Sequence, residues 1–156
     1  MPTSKSASCP QRERGFTLIE LLVVIAIIGL GVAAVIFALP GSERTLYADA
    51  DRFAARVAAA RDLAVVGGQP IALWVRPSGY GFEQRVDGRW QPMNARGVTR
   101  DDWRNGTQAV LPDEGMQRLA FDNTGLPSRA ITVQLRNDQT GAAISVNDLG
   151  EVSIDR

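Results

Sequence analysis

The spacing of apolar and polar side chains changes three times along the chain. From Leu21 to Leu39 no side chain is charged or strongly polar. As a helix those 19 residues span about 28 Å, close to the ~30 Å hydrocarbon core of a bilayer. A core helix of a small domain shows a polar face, and an ordinary secretory signal has a shorter apolar run, so the pattern predicts a lone membrane anchor. Pro40-Gly41 breaks the run, because proline lacks the amide hydrogen and disturbs the preceding turn. Ser42 and Glu43 offer a restart. From Ser42 to Val66 the period is helical, with Leu46, Phe53, Val57, Ala60 and Ala64 on one apolar stripe. Asp49, Arg52, Arg56 and Asp62 are read as lying off that stripe. Gly67-Gly68 ends the helix.

Beyond Gly68 the period becomes two. Strands are predicted at Ile71–Val75, Tyr80–Val86 and Arg89–Gln91, with Asp87-Gly88 as a hairpin turn. Residues 93–106, MNARGVTRDDWRNG, are polar and read as a long surface loop. Further strands are predicted at Thr107–Leu111, Gln117–Phe121, Ala130–Leu135, Ala142–Val146 and Glu151–Ile154. The sum is an α+β arrangement: a long N-terminal helix, transmembrane in its first half, packed on a C-terminal antiparallel β-sheet domain. The helix stripe is expected to cover one sheet face.

Charge adds a direction. The 156 residues carry 17 basic and 17 acidic side chains, but residues 1–15 hold three bases against one acid. Arg12 and Arg14 flank the N-terminal side of the apolar run, so the leader stays in the cytoplasm and the body is exported. Histidine is absent, and the single cysteine, Cys9, lies in the leader. If the leader is removed, a cysteine nucleophile, a disulfide framework and a thiolate metal site are all excluded. Lys5, the only lysine, would go with it, which would remove a serine–lysine site. Asp101-Asp102 and Asp113-Glu114 read as solvated loop charges. No catalytic set converges, and neither enzyme activity, cofactor nor metal is expected.

Glu20 remains to be explained. A carboxylate at the edge of a lipid-length segment is costly without a partner. The residues around it, Gly15-Phe16-Thr17-Leu18-Ile19-Glu20 after a short basic leader and before an unbroken apolar helix, resemble the type IV prepilin signal of type IV pilins and type II secretion pseudopilins. The resemblance implies a membrane peptidase that cuts between Gly15 and Phe16 and methylates the new amine, making Phe16 N-methylphenylalanine. The new amine stays charged, and Phe16 and Glu20 stand at i and i+4 on one helix face. Glu20 then neutralises its own amine or that of a neighbouring subunit; the resemblance favours the neighbour. A carboxylate favoured by the helix dipole is the simpler alternative.

The body is similar to the minor pseudopilin H group of type II secretion (the GspH/FimT family). The resemblance lies in Gly67-Gly68-Gln69-Pro70-Ile71-Ala72-Leu73, Asp87-Gly88-Arg89-Trp90, Phe121-Asp122-Asn123-Thr124-Gly125, Ile131-Thr132-Val133 and Ser145-Val146-Asn147-Asp148-Leu149-Gly150-Glu151-Val152. It divides the chain into a cleaved leader (1–15), a transmembrane and assembly helix (16–39), an exported amphipathic helix half (40–66) and a periplasmic β domain (67–156). The implied function is structural: a subunit at the tip of a periplasmic pseudopilus that helps initiate the fibre for protein export. The implied partners are other major and minor pseudopilins, the prepilin peptidase, the inner membrane and secreted exoproteins. Trp103 and Arg104 in the 93–106 loop are the candidate partner contact. Two departures from relatives stand out: the mature chain lacks the disulfide of major type IV pilins and the carboxylate-rich calcium loop of major pseudopilins.

The competing reading is a minor type IV pilin that captures DNA. Arg85, Arg89, Arg96, Arg100 and Arg104 could converge on phosphates. Asp87, Asp101 and Asp102 interrupt them, so nucleic acid is disfavoured as a partner.

Overall fold

The computed structural model describes residues 18–38, 41–112, 115–138 and 140–156, with the side chains of 34–38 and 42 outside that description. Two compact units result, Met1–Leu39 and Pro40–Arg156. In the first, α1 runs from Leu18 to Ala38, 21 residues with Glu20 in its first turn. Its described side chains are exposed on every side of the helix, from Leu18 through Ile25 to Val32. A helix that is apolar all round needs something other than water against it. Among the described residues no helix is long and apolar enough to cross a membrane. The described side chains of α1 stop at Ala33, and the expectation of a span rests on the sequence through Leu39.

The second unit opens with α2, Ser42–Gly67. Gly68 ends it at φ 61°, a left-handed cap that suits glycine, and donates its amide to the Val65 carbonyl at 3.3 Å. Leu46, Phe53, Val57, Ala60 and Ala64 are all buried, as the stripe requires. Burying each of the larger three contributes about 1.5–3 kcal/mol relative to exposure. The alanines let the helix lie close to the strands beneath it.

Among the described residues nine strands form two antiparallel sheets. The first contains β1 (Ile71–Arg76), β2 (Gly79–Val86), β3 (Arg89–Pro92), β4 (Asp101–Asp102) and β6 (Gln117–Phe121), in the order β3-β2-β1-β6 with β4 also beside β2. The second contains β5 (Gln108–Val110), β7 (Ile131–Arg136), β8 (Gly141–Val146) and β9 (Val152–Asp155), in the order β5-β7-β8-β9. The stripe of α2 therefore covers strands of two sheets rather than one face of a single sheet. Strand period fixes which residues share a face, but not which strands pair, and the division was not readable from it.

The hairpin between β2 and β3 turns at Asp87 (φ 49°) and Gly88 (φ 75°), the paired positive angles a type I′ turn requires. Alternation sends Leu73 and Val75 of β1, Tyr80 and Phe82 of β2, and Leu119 and Phe121 of β6 into one core with α2. Val133, Leu135, Ile144 and Val146 of the second sheet complete it.

Residues 93–106 depart from the surface-loop expectation. Val98 is fully buried, Ala95 and Val98 form a β-bridge, and β4 pairs Asp101 with Tyr80. Some of the segment's polar groups bond α2 and β1, while Asn94, Arg96, Arg100, Asp102, Arg104 and Asn105 are exposed, so the segment is docked on one side and open to solvent on the other.

Candidate assembly and contact surfaces

Glu20 sits in the first turn of α1, exposed, where the helix dipole favours a carboxylate. Gly15 and Phe16, the expected cleavage and methylation positions, lie outside the described residues, as do Cys9, Pro40, Asp113 and Glu114.

The structure separates Trp103 from Arg104. The Trp103 indole packs edge-on against Phe53 at 5.4 Å and tilted against Tyr80 at 4.8 Å between ring centres. Its Nε1–H donates to the Arg76 carbonyl at 3.2 Å, and its amide donates to the Ser78 carbonyl at 3.0 Å. Trp103 is thus a half-buried edge of the core, with its polar atom already used inside the chain. Arg104 is exposed, with its backbone amide donating to Asp49 Oδ2 at 2.8 Å.

Asp49 anchors that arrangement, and its position overturns the reading that placed it off the stripe. It is three residues after Leu46 and four before Phe53, so it lies on the buried face, 1% exposed. A buried carboxylate needs partners. Arg52 donates to Asp49 Oδ1 at 2.6 Å, and the Arg104 amide takes the other oxygen. Asp101, expected to be a solvated loop charge, pairs with Arg56 at 2.9 Å. Arg56 also donates to the Tyr80 hydroxyl at 3.1 Å and to the Thr99 carbonyl at 3.3 Å. Burial pushes the Tyr80 hydroxyl pKa up to about 12, against the pull of the Arg56 cation. The Arg56–Asp101 ion pair, the Arg104 amide on Asp49 and the packed rings of Phe53, Tyr80 and Trp103 thus bind residues 99–104 to α2.

Three of the five arginines considered for phosphate binding have other neighbours within the chain. Arg85 lies against Trp90 and Arg100 against Trp74, while Arg104 belongs to the Asp49 corner. Among the described residues no three acidic, cysteine or histidine side chains are grouped to hold a metal ion. Asp122, at the end of β6, is held below the usual carboxylate range by hydrogen bonds from the Thr124 hydroxyl and the Leu126 and Thr124 amides. These bonds close a turn rather than a ligand site.

A buried helical stripe across two small antiparallel sheets, preceded by a separate apolar helix with an early glutamate, is the arrangement to compare with known proteins. Residues 10–36 match the family model of the prokaryotic N-terminal methylation motif. Residues 49–150 match that of type II transport protein GspH, which takes in most of α2 and nearly all the strands. The chain belongs to the GspH family.

Among curated relatives of this GspH-family chain, type II secretion system protein H of Aeromonas hydrophila is 35% identical over 53% of this chain and 47% of its own length. The chain thus spans about half the length of that relative. Type II secretion system protein H of Escherichia coli is 31% identical over 68% of this chain and 70% of its own length. Pilin-like protein PilA1 of Thermus thermophilus is 30% identical over 86% of this chain and 92% of its own. Two solved structures share the fold at low identity. The minor pseudopilin EpsH of Vibrio cholerae superposes with TM-score 0.59 at 16% identity, over 70% of this chain and 95% of that one. The type IV minor pilin FimU of Pseudomonas aeruginosa gives 0.57 at 18% identity, over 75% and 93%.

Proposed function

We propose that the chain is a minor pseudopilin of a type II secretion system, a structural subunit near the tip of a periplasmic pseudopilus that helps start fibre assembly. The observation that carries this reading is the joint match of one chain to the N-terminal methylation motif and, without overlap, to GspH. On this reading the leader 1–15 is cytoplasmic, α1 is held in the inner membrane, and the unit from Pro40 onward is periplasmic. The prepilin peptidase cuts between Gly15 and Phe16 and methylates Phe16. Glu20 then pairs with the methylated amine of a neighbouring subunit. In an apolar bundle the pair selects subunit register more than it adds stability, because both charges must leave water. The partners are other major and minor pseudopilins, with secreted exoproteins as the cargo the fibre moves. The subunit turns over no substrate.

A second reading, a minor type IV pilin, is favoured by the PilA1 similarity along most of the chain and by the FimU fold. Neighbouring genes for a secretion channel or for pilus retraction separate the two.

Processing tests the shared part of both readings. Mass spectrometry of the membrane fraction is expected to find the mature chain beginning at methylated Phe16. Gly15→Glu is expected to leave the leader attached, since a large charged side chain replaces the small residue before the cut. A mature chain beginning after Leu39 would remove the prepilin reading altogether.

A further inference from the structure

The first sheet has two faces, and only one of them is explained by the core. Alternation along β1 sends Trp74 and Arg76 away from α2, opposite Leu73 and Val75. The register places Trp74 beside Gly81 of β2 and Arg118 of β6, and Arg85 of β2 beside Trp90 of β3. Two indoles are therefore presented on the outer face, each with two guanidinium groups against it. Arg76 lies 5.0 Å and Arg100 5.8 Å from the Trp74 ring centre. Arg118 lies 4.8 Å and Arg85 6.0 Å from that of Trp90. These separations are in the cation–π range. All four arginines are exposed and both tryptophans are half-buried. Gly81 makes the arrangement possible, since a Cβ there would overlap the Trp74 indole.

Charge on this face is unbalanced in a chain whose 17 bases and 17 acids cancel overall. Four arginines meet two acids. Glu83 is taken by Arg118 at 2.6 Å, and Asp102 stands 3.8 Å from Arg100. Arg76 and Arg85 have no carboxylate within ion-pair reach among the described residues. A guanidinium laid against an indole keeps its planar fork open at the edge, fixed in orientation and suited to a carboxylate. Arg76 pairs in register with Gly79, six positions before Arg85 on β2, which sets the two backbone positions about 20 Å apart along the sheet.

The geometry points to this outer face as a docking surface for an extended acidic segment of a partner protein, its carboxylates seated on Arg76 and Arg85 and its apolar side chains against the arginine stems and the indole edges. An extended chain covers that distance in about six residues, and residues six apart face the same side. Polypeptide fits better than nucleic acid. The indole faces are occupied by the chain's own guanidinium groups rather than open for base stacking, and Glu83 and Asp102 lie where a continuous run of phosphates would pass.

The test uses the full chain in detergent and a labelled ten-residue peptide with glutamate at positions 2 and 8 and leucine and serine between. Binding measured by fluorescence anisotropy at low salt is expected to weaken at least tenfold in the Arg76→Glu/Arg85→Glu double variant. Arg76→Lys/Arg85→Lys, which keeps charge but loses the planar fork, is expected to weaken it several-fold. Arg129→Glu, an exposed arginine elsewhere on the body, is expected to change nothing. Circular dichroism of each variant checks that it is folded. Failure of the peptide to bind, or an equal loss in Arg129→Glu, would overturn the proposal. So would tighter binding of a ten-residue thymidine oligonucleotide lost in the same double variant, which would make the face a nucleic-acid site.

Discussion

Asp49 shows how one side chain can decide where a segment of chain lies. Its carboxylate is buried, and its two oxygens serve Arg52 and the Arg104 amide, so α2 and the end of β4 share one ion. Asp49→Ala strands a part-buried amide and a half-buried guanidinium. It is expected to lower stability by about 2–4 kcal/mol, read as a fall in the thermal midpoint, with Asp49→Asn costing less because its amide oxygen still accepts one bond. Tyr80 gives a pH dependence at the same corner. Its folded pKa is raised from 10 to about 12, so between those values the folded chain binds the proton more tightly than the unfolded one. Stability contributed by the neutral hydroxyl is therefore present below pH 10 and lost as pH rises towards 12. Tyr80→Phe should be less stable than wild type at neutral pH, having lost the Arg56 bond, and the gap should narrow across that window in denaturant melts. A gap that stays constant with pH would contradict the assignment.

At the scale of elements, most of the architecture was legible because period and punctuation agree. The helix stripe from Leu46 to Ala64, the Gly67-Gly68 stop and the Asp87-Gly88 turn each follow from local chemistry, and each stands where expected. What escaped was tertiary. Val98 is one isolated apolar residue in a polar stretch, and no periodicity can show that it is buried. Asp49 was misplaced because a charged side chain was given to the solvent face, although its spacing from Leu46 and Phe53 set it on the stripe. The outer-face arginines are spread over three strands and the residue before β4, and only the pairing register brings them together. Gly79 tests the element that was missed. A Cβ there would stand 2.5 Å from the Asp101 backbone oxygen, which cannot move without shifting β4. Gly79→Ala should therefore cost about 1–3 kcal/mol and speed amide exchange at Trp103, whose N–H bonds Ser78. Gly67→Ala, with open space around it, should be nearly neutral.

For the whole molecule, the division of labour follows from what each unit can do with water. The body from Pro40 onward is a compact unit with its own buried core and is expected to fold without a partner. α1 is apolar on every described side and carries one carboxylate, so its stability and its specificity both depend on what surrounds it. The proposed role joins these facts: a self-sufficient head displayed on a helix that gains its register from Glu20 in the company of other subunits. Glu20→Ala and Glu20→Gln should still be cut after Gly15, because the glycine presents the peptide bond, and both should still insert. Their defect should appear only at assembly. The most direct measurement is photo-crosslinking of the full-length chain in native membranes from a reactive side chain placed at Val24, one turn after Glu20 on the same face of α1. The wild-type chain is predicted to crosslink to another pseudopilin, and the Glu20→Gln chain to lose that product while remaining processed. A wild-type chain that crosslinks to no pseudopilin would contradict the account.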